Sequence, residues 1–305
     1  MGVARVFLIV NTNATRHSPR RQRLVQEMLA SSHKLETAVT THKGHATALA
    51  REAAEDGFDI VVTLGGDGTV NEAINGVAHS HTALGILPGG HTNVLARTVG
   101  IPRQLDRAVV QLLRDIAHGR RRSLGLGRLD NRYFSFVAGF GFDAEVVEAV
   151  ERRVYLKKMY RDWFFVSQAL KIFFFHFDRK NPSITIATPD RREDGIYFAL
   201  VLNSHVYTYF RSFPIRPAPE ASFDRGLWAV APKSSKISKI LSLLVSALGY
   251  GNRIVPSPDL ALFEDIEALT IEASRPVAVE VDGEFVGRMS GAALEWEADV
   301  VDVIC

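Results

Sequence analysis

The chain has 305 residues, of which 47% are hydrophobic and 23% are charged, and this length is sufficient for two folded domains. Its 36 lysines and arginines nearly balance its 34 aspartates and glutamates, so the formal net charge of +2 gives no argument for nucleic acid binding. The single cysteine, Cys305, excludes a disulfide or a cysteine-rich metal site within one chain. Because no segment has about eighteen uninterrupted apolar residues, we expect no membrane span and a cytoplasmic location.

The first part of the chain alternates short apolar runs with segments of helical periodicity. Ser18 before Pro19 is typical of a helix start, because it places a cap residue before a proline in the first turn. Strands separated by helix-length segments indicate parallel crossovers, so we predict an α/β domain with a parallel sheet over residues 1–120. The predicted strands are 4–10, 35–41, 58–64 and 83–87, and the further predicted helices are 46–55, 69–78, 92–99 and 105–118.

After residue 120 the pattern changes to short strands joined by turn-rich segments. This pattern is typical of a mostly antiparallel β-sandwich, which we assign to a second domain over residues 121–305. We expect the last residues, about 290–305, to return and pack on the first domain. The predicted strands are 123–129, 133–138, 183–187, 196–202, 227–231, 269–273 and 277–281, with helical insertions near 144–176 and 234–248.

The most informative stretch is VVTLGGDGTVNEAINGV, residues 61–77, in which an apolar strand leads directly into a glycine-rich turn and a helix. Gly65, Gly66 and Gly68 let the backbone turn sharply, and the helix start offers unpaired N–H groups that suit a phosphate. Asp67 would repel a phosphate unless Mg²⁺ lies between the two anions. The alternative is an ordinary strand-to-helix turn in which Asp67 serves as a cap.

The same strand–glycine–helix arrangement recurs in LGILPGGHTNVLARTVGIP, residues 84–102. Two such loops on successive strands meet at the carboxyl edge of a sheet, where open α/β folds bind ligands. They are neither a Walker loop nor a dinucleotide fingerprint, because GxxxxGK[ST] and GxGxxG are both absent. Beside the first loop, Thr69 and Asn71 offer neutral polar contacts, and Glu72 could hold a ribose or a neighbouring loop.

Three motifs together carry a family resemblance. GGDGTVNE at 65–72, LGILPGGHTNVLAR at 84–97 and VDGE at 281–284 resemble the diacylglycerol kinase catalytic family, which also contains sphingosine kinases and bacterial lipid kinases. The resemblance covers nearly the whole chain. It implies a nucleotide-binding α/β domain like that of NAD kinases and phosphofructokinases, a β-sandwich domain for the lipid substrate, and ATP and Mg²⁺ as cofactors.

The resemblance also implies a set of nucleotide-contacting residues. Asn11, after the first strand, resembles the family's early asparagine, and Thr40, four residues before Gly44, resembles its nucleotide-binding threonine. Many relatives read Gly-Thr-x-Asn-Asp at the second loop, so His91 departs from the family pattern. The implied nucleotide site consists of Asn11, Thr40, Gly65, Gly66, Asp67, Gly68, Thr69, Asn71, Glu72, Gly90 and His91.

The VDGE motif supplies the carboxylates that alcohol phosphorylation needs. This chemistry requires Mg²⁺ to neutralise charge, alignment of the hydroxyl, and a carboxylate to accept its proton. The resemblance makes Glu284 the general base, with Asp282 supporting it or the metal, and Asp67 completes the predicted catalytic set. The alternative is a plain hairpin turn, since Asp-Gly is a common turn pair.

Two further positions follow from the resemblance. AGFGFDAEVV, residues 138–147, resembles the family's Gly-x-Gly-x-Asp segment, so Asp143 is the candidate to orient the lipid hydroxyl, a helix cap being the alternative. Relatives with Asp-Asp-Gly hold a structural Mg²⁺ where this chain has Asp224-Arg225-Gly226, and Arg225 repels a cation. Any remaining metal ligands there would be Asp224 and the main-chain carbonyls of Ser222 and Leu227.

Residues 151–180, ERRVYLKKMYRDWFFVSQALKIFFFHFDRK, combine aromatic residues with a local basic excess. This composition suits an interfacial helix on an anionic lipid surface, because apolar burial and basic attraction act together. The alternative is a helix packed on the β-sandwich. The first interpretation predicts a protein that is peripherally associated with the inner face of the cell membrane.

We therefore predict a kinase that transfers the γ-phosphate of ATP to a lipid hydroxyl, with diacylglycerol as acceptor and phosphatidic acid as product. A sphingoid base, a polyprenol or a glycolipid would present a similar hydroxyl. Two alternatives remain, an NAD kinase-like phosphotransferase and a non-catalytic relative that binds lipid or nucleotide. We expect no nucleic acid partner, and a homodimer is one alternative for the oligomeric state.

Overall fold

The computed structural model describes residues 3–151, 181–210, 212–248 and 257–305, and the structural statements below concern these residues. The chain divides into two compact units, the first made of Met1–Gly125 together with Ala298–Cys305 and the second of Leu126–Glu297. The nucleotide and lipid roles of the two domains stay predictions. Within the described ranges, no helix is long and apolar enough to cross a membrane.

The first unit is an α/β fold built on four parallel strands in the order β4-β3-β1-β2. All six residues of both β3 and β4 are buried, as expected for central strands covered on two faces. Its elements are β1 (Arg5–Val10), α1 (Pro19–Ala30), β2 (Lys34–Val39), α2 (His45–Glu55), β3 (Ile60–Gly65), α3 (Asp67–Val77), β4 (Ala83–Pro88), α4 (Val94–Thr98) and α5 (Leu105–Ala117).

Local sequence signals account for much of this unit. The hydroxyl of Ser18 accepts a hydrogen bond from the backbone N–H of Arg21 at 3.3 Å, which caps α1 one residue before Pro19. The C-terminal residues of the chain add to the sheet, because Val303 pairs in parallel with Leu84 of β4. The predicted parallel α/β fold is therefore confirmed.

The second unit is rich in antiparallel strands, as predicted. Neighbouring strands pair in the order β14-β13-β10-β7-β15-β16, and β8 pairs with both β15 and β9. Its elements are β5 (Arg122–Leu129), β6 (Arg132–Phe134), β7 (Val137–Phe140), α6 (Phe142–Glu151), β8 (Ile184–Ala187), β9 (Arg192–Ile196), β10 (Ala199–Leu202), β11 (Thr208–Phe210), β12 (Phe213–Ile215), β13 (Leu227–Pro232), α7 (Ile237–Leu248), β14 (Leu260–Ile266), β15 (Ala268–Val281) and β16 (Glu284–Val303). The first residues of β5 and the last residues of β16 belong to the first unit.

The strand β15 differs from the sequence prediction, which placed two strands at 269–273 and 277–281. It is one strand of 14 residues whose pairing with β16 shifts in register between Glu272 and Val277. Its first half also pairs with β8 and its second half with β7, so this strand belongs to two sets of neighbours. One hydrophobic core joins these sets, and it includes Phe134, Phe140, Ile186, Val201 and Leu294.

Several strands escaped the sequence prediction because they lack an apolar run. The strand β9 has the sequence REDGI, and β16 carries many exposed and charged positions over its 20 residues. Such strands carry only some buried residues, such as Ile196 and Leu294, and they are held in the sheet by pairing with their neighbours. Of the predicted helical insertion near 144–176, the structure describes α6. The predicted interfacial segment lies outside the described residues from position 152 onward.

Candidate functional site

The two glycine loops of the first unit pack against each other, backbone to backbone. The backbone N–H groups of Gly89 and Gly90 donate to the carbonyl oxygen of Gly65 at 2.7 and 3.1 Å. A Cβ atom on Gly90 would lie 2.6 Å from the Cα atom of Gly66, and one on Gly65 would lie 2.6 Å from the side chain of Thr69. Glycine is therefore required at these positions by close approach, and the structure brings both predicted loops together.

Asp67 links the two loops. It lies in the first turn of α3, and its Oδ1 atom accepts a hydrogen bond from the backbone N–H of Val94 at 2.5 Å, at the start of α4. The N-cap of α3 is Gly66, which has no side chain to cap the helix. Asp67 thus caps the following helix, α4. The first turn of α3, which includes Asp67 and Gly68, receives no side-chain cap from its N-cap residue.

A third loop, the one after β1, joins this cluster. The Nδ2 group of Asn11 donates to the hydroxyl of Thr69 at 2.9 Å, and the backbone N–H of Asn11 donates to the carbonyl of Leu64 at 3.0 Å. The backbone N–H of Arg16 donates to the carbonyl of Gly89 at 2.9 Å. The loops that follow β1, β3 and β4 therefore meet at the carboxyl edge of the parallel sheet, where α/β folds bind ligands.

The remaining predicted nucleotide residues lie around this edge, with different degrees of access. Thr40 follows β2 and donates its backbone N–H to the carbonyl of Val10 at 2.9 Å. His91 lies in the second loop and is half-buried. Asn71 is only 1% exposed, and its contact with the nucleotide stays a prediction.

Glu72 fixes a neighbouring loop, which is the second of the two alternatives for this residue. Its Oε1 atom accepts a hydrogen bond from the backbone N–H of Gly44 at 2.8 Å, and Oε2 accepts one from Ala46 at 3.0 Å. Gly44 is the N-cap of α2 and has a φ of 85°, which glycine adopts readily. The carboxylate of Glu72 therefore stabilises the start of α2.

In the second unit, the VDGE motif forms the turn between β15 and β16. Asp282 and Gly283 have φ angles of 49° and 79°, as in a type I′ turn, and Val281 pairs with Glu284 across it. The motif therefore forms the hairpin turn that was the alternative interpretation, while the catalytic role of Glu284 stays a prediction. Glu284 is the first residue of β16, its side chain is 19% exposed, and its Oε2 atom accepts a hydrogen bond from Arg132 at 3.0 Å.

Asp282 is 3% exposed and is surrounded by hydrogen-bond donors. Oδ2 accepts hydrogen bonds from the backbone N–H and the hydroxyl of Ser135 at 2.7 and 2.8 Å, and Oδ1 accepts from Phe136 and Val137 at 2.9 and 3.1 Å. Burial raises the pKa of this carboxyl above its ordinary value, although these hydrogen bonds act to lower it. Both oxygens hold the β6–β7 connection, so Asp282 is a structural anchor, and its catalytic role stays a prediction.

Asp143 lies in the first turn of α6 and belongs to a buried polar cluster. The hydroxyl of Tyr207 donates to its Oδ1 atom at 2.5 Å, and Glu280 of β15 faces it. Burial raises the pKa values of Asp143, Tyr207 and Glu280, those of Tyr207 and Glu280 well above their ordinary values. The sequence analysis missed Tyr207 and Glu280. The signal available for Glu280 was a single acidic residue within the apolar strand at 277–281.

The predicted metal ligands near Asp224 lie just before β13 and at its first residue. Asp224 is exposed, and the carbonyl of Ser222 accepts a hydrogen bond from the backbone N–H of Arg225 at 3.3 Å. Leu227 begins β13 and pairs with Ile266. Among the residues that the structure describes, no three or more histidines, cysteines, aspartates or glutamates are grouped so that they could hold a metal. The metal site expected here from Asp224 and the carbonyls of Ser222 and Leu227 stays a prediction.

Comparison with known proteins defines the class of protein. Residues 5–128 match the family model of the diacylglycerol kinase catalytic domain. This part of the chain is therefore similar to the diacylglycerol kinase catalytic domain, which is the family that the motifs resemble. The predicted enzyme class, a phosphotransferase of the kinase type, is confirmed by this match.

Individual relatives agree with the family match. The chain is 26% identical over 273 residues to a diacylglycerol kinase of Bacillus subtilis strain 168, covering 88% of this chain and 85% of that protein. It is 24% identical over 271 residues to a diacylglycerol kinase of Staphylococcus aureus strain JH9, covering 87% of this chain and 80% of that protein. A crystal structure described as a diacylglycerol kinase from Bacillus anthracis shares the fold, with a TM-score of 0.73, 18% identity and coverage of 100% of this chain and 97% of the other.

Proposed function

We propose that the protein transfers the γ-phosphate of ATP to the hydroxyl of diacylglycerol and produces phosphatidic acid. The observation that carries the proposal is the packing of two glycine loops against each other, with Asp67 hydrogen-bonded from one to the start of the other. These loops occur in the region that matches the kinase family model. The glycines allow the backbone to approach a ligand closely, and the start of α3 has no side-chain cap from its N-cap residue. Both features suit the phosphates of a nucleotide.

The first unit supplies the nucleotide side of the reaction in this proposal. The backbone around Gly66 and Gly68 holds the phosphates, while Asn11 and Thr69 keep the loops in place through their mutual hydrogen bond. Asp67 fits a divalent cation because its carboxylate is partly exposed, and Mg²⁺ is commonly held by one or two carboxylates together with substrate phosphates. When bound, Mg²⁺ would supply neutralisation of the charge on the phosphates.

The second unit supplies the acceptor side. The oxygen of the lipid hydroxyl forms a bond to the γ-phosphorus while the bond from that phosphorus to the ADP oxygen breaks. Glu284 accepts the hydroxyl proton, and its partly exposed carboxylate is kept in place by Arg132. Asp143 orients the hydroxyl before transfer, which is the role that the family resemblance assigns to this position.

The test offers the acceptors separately with γ-labelled ATP and Mg²⁺. We expect label in phosphatidic acid when diacylglycerol is supplied in mixed micelles, and none in NADP when NAD is supplied. Label in NADP instead would favour the NAD kinase-like alternative. Tight ATP binding with no label in diacylglycerol, a sphingoid base, a polyprenol or a glycolipid would favour the non-catalytic relative.

The general base is tested by Glu284→Gln. We expect normal folding and a loss of turnover of about a hundredfold or more, because the amide cannot accept the hydroxyl proton. Glu264→Gln on the exposed part of β14 is the matched control and should retain full turnover. Near-normal activity of the Glu284 variant would reject this residue as the base.

We also propose that the lipid is taken from an anionic membrane surface. The support is the sequence of residues 151–180, in which aromatic and basic side chains alternate over a helix-length segment. Sedimentation with vesicles that contain an anionic phospholipid should decrease when salt is raised, and when the lysines and arginines of this segment are replaced by glutamine. Equal sedimentation of the substituted protein would contradict the proposal.

A further inference from the structure

Two buried carboxyl groups of the second unit face the same point in space. Gly139 of β7 has no side chain, and a Cβ atom at this position would lie 2.6 Å from Oε1 of Glu280 and 2.7 Å from Oδ2 of Asp143. Glu280 is 1% exposed and Asp143 is 9% exposed. The absence of a side chain at position 139 therefore leaves room for these two oxygens to approach each other.

Neither of these two oxygens accepts a hydrogen bond from any donor among the described residues. Two ionised carboxylates in this arrangement would repel each other without solvent to screen them. One proton between them removes the repulsion and supplies the missing hydrogen bond, because one carboxyl then donates to the other. The raised pKa of Glu280, caused first by burial and then by the charge of Asp143, agrees with this geometry.

The groups around the pair favour Glu280 as the proton carrier. Tyr207 donates its hydroxyl to Oδ1 of Asp143 at 2.5 Å, so Asp143 already has one partner that favours its ionised form. Glu280 lacks such a donor at Oε1, and the nearby charge of Asp282 also raises its pKa. Among the described residues, the titratable groups that act on Glu280 are Asp143, Tyr207 and Asp282.

The second oxygen of Glu280 holds the turn that precedes the proposed general base. Oε2 accepts a hydrogen bond from the backbone N–H of Gly283 at 2.7 Å. Gly283 is followed directly by Glu284, and it has a positive φ of 79°. One side chain therefore connects the residue proposed to orient the lipid hydroxyl with the turn that carries the residue proposed to accept its proton.

We propose that Glu280 is a positioning residue for phosphoryl transfer, which as a neutral acid holds Asp143 through one oxygen and the Gly283–Glu284 turn through the other. The inference rests on the proposed function, since it concerns the acceptor side of that reaction. Phosphoryl transfer requires the reacting groups to be held close to their productive geometry, because a small displacement of these groups slows the reaction strongly.

Two substitutions separate positioning from simple packing. Glu280→Gln keeps an oxygen for the N–H of Gly283 and an amide N–H for Asp143, so turnover should stay within about threefold of the wild type. Glu280→Leu has similar volume and neither group, so kcat should fall by about tenfold or more while the KM for ATP stays unchanged. Glu272→Gln is the matched control, because Glu272 lies on the same strand and is 62% exposed.

The proton itself is tested without an activity assay. Infrared spectra at neutral pH should show the C=O stretch of a protonated carboxyl in the wild type, and this band should disappear in Glu280→Gln. A wild-type protein without the band would overturn the proposal. This measurement keeps the inference testable if Glu280→Leu fails to fold.

The kinetic outcomes also distinguish this inference from the proposed function. An active wild type whose folded Glu280→Leu variant has the same kcat would overturn the positioning role alone, and so would a Gln variant as slow as the Leu variant. A wild-type protein that shows the infrared band but phosphorylates no lipid would overturn the proposed function and the positioning role with it.

Discussion

The carboxylate of Asp67 accepts a hydrogen bond from the backbone N–H of Val94, 27 residues further along the chain. This bond ties the first turn of α3 to the first residue of α4. The same side chain is proposed to meet the cation that accompanies ATP. In this proposal Asp67 combines a structural role, which an amide could also fill, with an electrostatic role, which requires a negative charge.

This double role predicts different effects for two substitutions of Asp67. Asp67→Asn keeps an acceptor for the N–H of Val94, so thermal unfolding should change little, but phosphoryl transfer should fall by about a hundredfold or more because the charge is lost. Asp67→Ala also removes the cap and should cost a further ~1 kcal/mol of stability. Asp106→Asn, at an exposed first-turn position of α5, is the control and should leave both properties unchanged. Equal activity of Asp67→Asn and the wild type would contradict the electrostatic role.

The packed glycine loops predict that a methyl group at position 90 is harmful. Gly90→Ala places a Cβ atom 2.6 Å from the Cα atom of Gly66, so the backbone must shift, at a cost of about 1–3 kcal/mol. We expect a lower unfolding midpoint and weaker ATP binding, measured by denaturation and by calorimetric titration. Gly291→Ala is the control, because its nearest neighbour would be 3.9 Å away. Unchanged ATP affinity in the Gly90 variant would show that this loop does not contact the nucleotide.

The anchor role of Asp282 predicts a loss of stability. Asp282→Ala leaves the backbone N–H groups of Ser135, Phe136 and Val137 without their acceptor, at a cost of about 3 kcal/mol or more. Chemical denaturation measures this loss, and Asp190→Ala at an exposed position is the control. A variant with wild-type stability but no kinase activity would contradict the anchor role and favour a catalytic role for Asp282.

The raised pKa of Glu280 predicts how stability depends on pH. The folded state raises this pKa well above 4.5, so the folded protein binds the proton more tightly than the unfolded chain does. The stability linked to this group is complete below the ordinary glutamate pKa and is lost as pH rises through the folded-state value. Glu280→Gln should lose less stability over this window, as measured by denaturation across a pH series. Parallel stability profiles for the two proteins would contradict the prediction.

Much of the first unit follows from local sequence. Ser18 and Pro19 predicted the start of α1, and the apolar runs before the two glycine loops predicted β3 and β4 within two residues. These signals are reliable because helix caps, buried parallel strands and glycine turns depend on residues that are adjacent in the chain. The strand β9 was missed because its sequence is mostly polar, and β16 was missed because glycine and charged residues interrupt its apolar positions.

Some of the site residues could likewise be identified from local sequence, and others could not. The motifs identified Asp67, Glu284 and the glycines as candidates from their positions after strands and in turns. They gave no sign of the hydrogen-bond partners of Asp282, which lie up to 147 residues away in sequence, and they overlooked Glu280, whose neighbour Asp143 comes from another element. A motif gives the type and spacing of side chains, whereas hydrogen-bond partners are fixed by tertiary packing.

The sequence by itself determined the order of strands and helices in the first unit, the two phosphate-type loops, and a turn that presents a carboxylate. These features arise from short-range backbone preferences. The tertiary structure alone decided which carboxyl groups are buried and paired, namely Asp282 with the β6–β7 connection, Glu72 with the start of α2, and Glu280 with Asp143. Burial and proximity depend on residues distant in the chain, and they determine whether an acidic side chain is an anchor, a proton carrier or a base.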